Sequence, residues 1–436
     1  MGKINEIAKK MSLLLKGGFF HILIGNVLNK AIAMVSSIAI ARLVEKTEYA
    51  YLSYADNIYS YGTLVSGLGL SLAILKFCTK KDEDSLNSAY LNYAFTRGGL
   101  FQICVAFVMC ILVTLIDIPY PRARVFMWAM VFYPLFTYFS ETIACFLRTQ
   151  YMNKEYAMLG ILQSLLVCVL GIAFVLLLDT MGLIVARYVA VICVVILFGY
   201  QVIRIIRENH DNSVKLSKNQ KISFLKMGLS LMIANLFSSM MPINEAFLVN
   251  NIIKDEVVTA NFKVAGFFPQ MLLLVSGAVT VYYFPIIAQM TDWKEIKSKI
   301  FKIGIINFFF MLLLVVCGMI LTPSAIRILY GSRYEDAIPL TYLLWIMRAM
   351  NCCIRMVPIN MLPAIGKTRF NAITAVLSCI IQTIIDYFLI MKIGVNGAAI
   401  GAIIVYLFSG IAYWIYLTIT CNKAIVLQES GGAKHE

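Results

Sequence analysis

Arg204-Ile205-Ile206-Arg207-Glu208-Asn209-His210-Asp211-Asn212-Ser213-Val214-Lys215-Leu216-Ser217-Lys218-Asn219-Gln220-Lys221-Ile222 is the longest polar stretch in the 436-residue chain and lies near its middle. Almost everything on either side is apolar. Six apolar segments precede it, at about 18–41, 51–75, 90–116, 122–147, 156–178 and 183–203. Six more follow, at about 223–249, 258–289, 300–321, 337–362, 370–391 and 396–419. Each is long enough to cross a bilayer, which takes roughly 20 helical residues within a range of about 17–25. The expectation is an all-α polytopic membrane protein with twelve transmembrane helices in two six-helix bundles around a central cavity. Residues 1–203 make the first bundle, 204–222 a cytoplasmic linker, and 223–436 the second bundle with a short cytoplasmic tail.

Composition agrees. The chain is 61% hydrophobic and 14% charged, whereas a soluble domain is about 45–50% apolar and about 25% charged. So few charges cannot cover a water-soluble surface of this size, which excludes a soluble enzyme or binding module. No loop reaches the size of a folding domain, so function must lie within the bundles.

The net charge of +14 would suggest nucleic acid in a soluble protein, but here it reports topology. With the N-terminus inside, 23 of the 37 Lys and Arg fall on the cytoplasmic side, 8 fall opposite, and six lie within helices. Both termini are therefore expected in the cytoplasm, with no nucleic-acid partner. Lys3, Lys9, Lys10 and Lys16 give a basic start, but the apolar run after them is too long for a signal peptide and lacks a small-residue cleavage site. The first helix is read as uncleaved. Ile4, Ile7, Ala8 and Met11 sit at helical spacing, which fits a surface-lying helix; a basic tail is the alternative.

Eleven cysteines are scattered through the apolar segments, with no C-x-x-C and no Cys/His cluster, and the chain has three histidines. They read as packing residues, so neither a metal, a cofactor nor a catalytic constellation is expected. The chain reads as a non-enzyme.

The two halves carry a trace of repetition. Leu64-Val65-Ser66-Gly67 recurs as Leu274-Val275-Ser276-Gly277, and at the same shift Ala50 meets Ala260, Ala55 meets Ala265, and Glu45 meets Asp255. Two six-helix repeats enter the membrane from the same side. They would be parallel repeats, an arrangement found in transporters that rock two bundles around a central site.

Charges inside the membrane are costly, about 2.5–3.5 kcal/mol each at the bilayer centre on insertion scales. Arg97, Arg187 and Lys263 lie near helix ends and can snorkel. Lys30, Arg348 and Arg355 are deeper. Arg348, Asn351 and Arg355 share one helix face, Asn26 and Lys30 form a stripe in the first helix, and Asn235 and Glu245 lie along the seventh. The candidate cavity lining is therefore Lys30, Arg348, Arg355, Asn26, Asn351 and Asn235, a cationic set suited to an anionic, phosphate-bearing substrate. Glu141, Glu245 and Asp386 are either counter-ions or groups that couple transport to a proton or sodium. Pro242, Pro285, Pro358 and Pro363 could kink helices of the second half.

A set of motifs in order resembles a known family. Ala41-Arg42-Leu43-Val44-Glu45-Lys46-Thr47-Glu48-Tyr49 follows the first helix, and Gly67-Leu68-Gly69-Leu70-Ser71 with Ala73 and Lys76 ends the second. Leu329-Tyr330-Gly331 with Tyr334 and Ala337 precedes the tenth helix, Gly366-Lys367 follows it, and Gly394-Val395-Asn396-Gly397-Ala398-Ala399 opens the twelfth. This pattern is similar to that of the Wzx-type oligosaccharide flippases, the polysaccharide or O-antigen exporters of the multidrug/oligosaccharidyl-lipid/polysaccharide exporter superfamily. The resemblance implies a carrier in the bacterial cytoplasmic membrane that moves a polyprenyl-pyrophosphate-linked oligosaccharide from the cytoplasmic to the outer leaflet. Its partners would be that glycan lipid, the surrounding membrane lipid and the polysaccharide polymerase machinery. Two alternatives stand beside it: a cation-coupled multidrug exporter of the same fold, and a membrane glycan polymerase or glycosyltransferase. Every outside loop is short and carries no Asp-x-Asp, which counts against the enzyme.

Overall fold

A computed structural model describes residues 19–78, 84–208 and 215–432. The N-terminal segment with Ile4, Ile7, Ala8 and Met11 lies outside the described residues, as does 209–214 of the central stretch. Among the described residues every regular element is helical. The spans are α1 Phe19–Leu43, α2 Lys46–Phe77 and α3 Ser85–Leu115. α4 is a pair, Ala123–Met130 and Tyr133–Thr149, bent by 43°. Pro134 opens its second part, and a proline leaves the carbonyl four residues earlier without a donor, which explains the bend.

Asn153–Glu208 is 56 residues long, about 80 Å as one helix, far beyond a hydrocarbon core of about 30 Å. It breaks at Leu178 and Asp179, where Asp179 turns to φ 52°, and so makes two spans, α5 (153–178) and α6 (180–208). α7 is Lys218–Ile253, α8 Glu256–Ala288, α9 Trp293–Leu329, α10 Ser332–Ala364 and α11 Thr368–Ile393. α12 is Asn396–Gly432. Among the described residues twelve membrane-length helices result, matching the twelve apolar segments of the sequence. Ile320 is 72% exposed and Leu177 76% exposed, as expected where lipid, not water, is the solvent.

The chain forms two compact units, Met1–Leu236 and Phe237–Glu436. The division falls inside α7. In the first unit, Gly67 adopts φ 50° where α2 breaks, and Tyr138 of α4 packs against both Gly67 and Gly98. The Tyr138 hydroxyl donates to the carbonyl of Ala94 at 2.7 Å, which opens a π-helical turn, Ala94–Gly98, in α3. In the second unit the glycines of the family-like motifs sit where helices stop. Gly331 (φ 88°), Gly366 (φ 78°) and Gly394 (φ 66°) all lie in the left-handed region. A side chain there would be strained, so these motifs shape turns rather than a binding site.

Candidate functional site

The second unit gathers the deepest charges. α10 is regular from Ile338 to Ala349, turns π-helical over Met350–Arg355, and resumes as Met356–Ala364. A π turn shifts the hydrogen-bond ladder by one residue and occurs mostly at functional sites. Pro358 follows at once, and without an N–H it cannot serve the carbonyl of Ile354 four residues back. Trp414 of α12 does so instead, donating from Nε1 to the Ile354 oxygen at 2.8 Å. Asn307 of α9 donates from Nδ2 to the Cys352 carbonyl, also at 2.8 Å. Two neighbouring helices therefore hold the turn that carries Asn351 and Arg355, just beyond Arg348 on the regular part of α10.

All three of those side chains are more than nine-tenths buried, at 7%, 5% and 6% exposure. The Arg355 guanidinium stands over the rings of Tyr406 at 5.4 Å and Tyr413 at 5.9 Å, both on α12; such cation–π contact suits an arginine removed from water. Glu245 of α7 and Asp386 of α11 are also buried. Glu245 feels the field of Arg348, and Asp386 that of Glu245. Asp386 packs so closely on Gly401 of α12 that a Cβ there would strike its carboxylate.

The groups are close, yet largely unsatisfied. Arg348 Nε, Arg355 Nε and Nη2, Asn351 Oδ1, Glu245 Oε1 and both carboxylate oxygens of Asp386 have no hydrogen-bond partner among the described residues. Gln382 neighbours Asp386 on α11, but neither end of its amide meets hydrogen-bond geometry. Roughly nine buried polar groups in ten are paired in ordinary structures, so this concentration on α7, α10 and α11 is chemically exceptional. The arrangement offers guanidinium donors and carboxylate acceptors that no described residue satisfies. No group of three potential metal ligands occurs among the described residues.

The first unit holds the other expected residues. Asn26 and Glu141 line one cavity of about 250 Å³ with Ser140 and Gln163, and Ser140 donates to Gln163 at 3.0 Å. Glu141 also interacts with Ser66 and Ser71, beside the break in α2. Lys30 is exposed one turn along α1 from Asn26, and Asn235 is exposed on α7. Arg187 does not snorkel. It forms a two-armed pair with Asp56 of α2, at 2.6 and 3.2 Å. Asp56, Trp414, Asn307 and the two tyrosines under Arg355 are contributors that the reading of stripes missed. Tyr406 and Tyr413 are seven apart on one helix face, and that spacing was the available signal.

Comparison with known proteins fits this architecture. The family described as "Polysaccharide biosynthesis protein" matches residues 14–291. A "Putative O-antigen transporter" of Shigella flexneri is 25% identical over 186 residues, which is 42% of this chain and 44% of that relative. An inward-facing multidrug resistance MATE family transporter of the MOP superfamily superposes with a TM-score of 0.73 at 13% identity, covering 91% of this chain and 98% of that one. An outward-facing one gives 0.67 at 13% identity, covering 93% and 96%. At such identities the structural likeness establishes the fold alone. This multi-pass membrane chain, folded as the MATE transporters are, belongs to the polysaccharide biosynthesis protein family.

Proposed function

We propose that this protein is a flippase for a polyprenyl-pyrophosphate-linked oligosaccharide, carrying it from the cytoplasmic to the outer leaflet of a bacterial cytoplasmic membrane by alternating access. The observation that carries the reading is the buried arginine pair, Arg348 and Arg355, in which Arg348 Nε and Arg355 Nε and Nη2 find no acceptor among the described residues. A pyrophosphate supplies acceptor oxygens in the geometry that arginine matches best. Asn351 in the second unit and Lys30, Asn26 and Asn235 in the first are the further substrate-binding residues of this reading, with the amides serving sugar hydroxyls. Both termini lie in the cytoplasm, by the excess of Lys and Arg on that side. The polymer-forming enzymes of the same glycan are its functional partners.

The test is export in flippase-deficient cells. Neutralising Lys30, Arg348 and Arg355 together should abolish surface polysaccharide at normal protein levels. Undiminished export would sink the role assigned to them. A second reading, a cation-coupled drug exporter, draws on the buried acids Glu245 and Asp386. It requires resistance to cationic drugs on expression, lost with Glu245→Gln.

A further inference from the structure

A groove in the first unit is separate from these residues. It has a volume of about 980 Å³ and runs between α3 and α6, closed at one end by the segment Lys215–Lys221. Its wall is apolar, with Leu91, Phe95, Val195 and Ile196, and its flank is open: Ile196 is 64% exposed and Tyr200 69%. Both helices are membrane spans, so what fills the open side is lipid.

The end of the groove is cationic. Arg97, Lys215 and Lys221 all line it and are exposed, and no carboxylate among the described residues pairs with them. Their placement is built. Arg97 sits on the π turn Ala94–Gly98. The two lysines flank a reciprocal cap at the start of α7: the Ser217 N–H donates to Gln220 Oε1 at 2.8 Å, and the Gln220 N–H donates to Ser217 Oγ at 3.3 Å. Leu216, between them, is buried in the core of the unit.

A second basic groove edged by aromatic rings lies in the second unit. Trp293 of α9, with Tyr416 and Lys423 of α12 and Lys367 from the α10–α11 turn, lines a groove of about 650 Å³. α3 and α6 are the third and sixth helices of the first half, and α9 and α12 are the third and sixth of the second. Each half thus has a basic, aromatic-edged groove that its third and sixth helices help to line. Basic pockets between spans recognise anionic headgroups, and Trp and Tyr settle at headgroup level.

We propose that the groove between the third and sixth helices, above all that of the first unit, is a binding site for an anionic glycerophospholipid. Its phosphate meets Arg97, Lys215 and Lys221, and its acyl chains lie along the Leu91–Ile196 wall. The bound lipid ties the linker end of α7 to α3 and α6.

The experiment is native mass spectrometry of the full chain in neutral detergent, titrated with phosphatidylglycerol, phosphatidylcholine, inorganic phosphate or a polyprenyl phosphate. Phosphatidylglycerol should bind well above phosphatidylcholine and inorganic phosphate. The triple variant Arg97→Gln, Lys215→Gln, Lys221→Gln should lose affinity on the order of 100-fold, about fivefold per basic residue at an anionic surface. A second variant leaves every charge in place. A Cβ at Gly199 would lie 3.5 Å from Ile143, in ordinary contact, so Gly199→Leu fills the groove and should also weaken binding. Removing three charges that line neither groove, at Lys299, Lys302 and Arg369, should leave it unchanged. Equal loss in that control, full binding by Gly199→Leu, or a preference for phosphatidylcholine, free phosphate or the polyprenyl phosphate would each overturn the proposal.

Discussion

Arg187 in the first unit meets Asp56 with two hydrogen bonds; Arg348 and Arg355 in the second are more deeply enclosed and keep donors unused. Both units place cations inside membrane-spanning helices, and the physical cost of doing so is similar. What differs is the compensation. A matched, two-armed pair joins α2 to α6 and accounts fully for its own presence. An unmatched arginine, stacked on tyrosines and near acids it does not bond, is tolerated only because a protein-wide scaffold holds it. Matching therefore separates charge that serves the fold from charge held ready for something else.

The largest effect should come from breaking that distinction on the unmatched side. Arg348→Gln with Arg355→Gln removes the charged donors while keeping polar side chains of related size. Export should fall on the order of 100-fold or more, since a charged hydrogen bond contributes about 1.5–3 kcal/mol. Thermal unfolding of the purified protein should stay near wild type or rise, because the replaced charges are not satisfied in the fold. Export near normal together with a lowered midpoint would make the arginines structural after all.

The matched side should respond in the opposite way. Asp56→Asn strands Arg187 in a half-buried position, and a loss of about 3 kcal/mol is expected. Surface polysaccharide should drop only in proportion to folded protein. The exchange Asp56→Arg with Arg187→Asp should recover part of the stability. A transport defect in Asp56→Asn at normal folded levels would place the pair in the transport path.

Gly401→Ala tests whether Asp386 is held in place by close packing. The added methyl group would collide with the carboxylate, and overpacking of this kind costs about 1–3 kcal/mol. A smaller replacement acid does not exist, so Asp386→Asn beside Gly401→Ala distinguishes crowding from charge. Crowding predicts that the alanine costs the same in both backgrounds, read from unfolding midpoints.

The twelve spans were legible because length and hydropathy are dictated by the bilayer. Their ends were less so: α12 was expected to stop near 419 but continues to Gly432, since beyond the membrane nothing forces a helix to end. The repeat shows a deeper limit. Leu64-Val65-Ser66-Gly67 breaks α2, whereas Leu274-Val275-Ser276-Gly277 runs through α8 as regular helix. The tetrapeptide is the same, but Tyr138 presses on Gly67 and nothing lies within 4 Å of a Cβ on Gly277. That neighbour comes from a distant helix, which local sequence does not reveal. The site divides likewise. Spacing placed Arg348, Asn351 and Arg355 on one face, and residue type marked Glu245 and Asp386 as unusual. Whether each charge finds a partner depends on helices far away in sequence, so Asp56 went unnoticed and Arg187 was expected to snorkel. The family resemblance was carried best by motifs of the second half, several of which lie beyond residues 14–291, the stretch the family matches. Their glycines turned out to end helices, so they identify a fold more directly than a chemistry.

The smallest expected effect concerns the turn beneath the arginines. Trp414→Phe removes the N–H given to Ile354 and also withdraws the outer indole ring from Gly304, so the hydrogen bond's own effect is read from a double-mutant cycle. A buried carbonyl left unpaired costs about 1–3 kcal/mol, and the lower end is expected because a carbonyl at a π turn can relax toward other donors. Pro358→Ala returns a backbone N–H four residues after Ile354, which is where an α-helix would supply it. If the missing proline donor is why Trp414 is needed, Trp414→Phe should cost less in the Pro358→Ala background, with a coupling of about 1 kcal/mol in the double-mutant cycle. The same double variant should draw α10 toward regular α-helix and swing Arg355 away from Tyr406 and Tyr413, lowering export while leaving the midpoint near wild type. Strict additivity of the two substitutions would mean that the π turn is held by side-chain packing, with the two donated hydrogen bonds as its consequence.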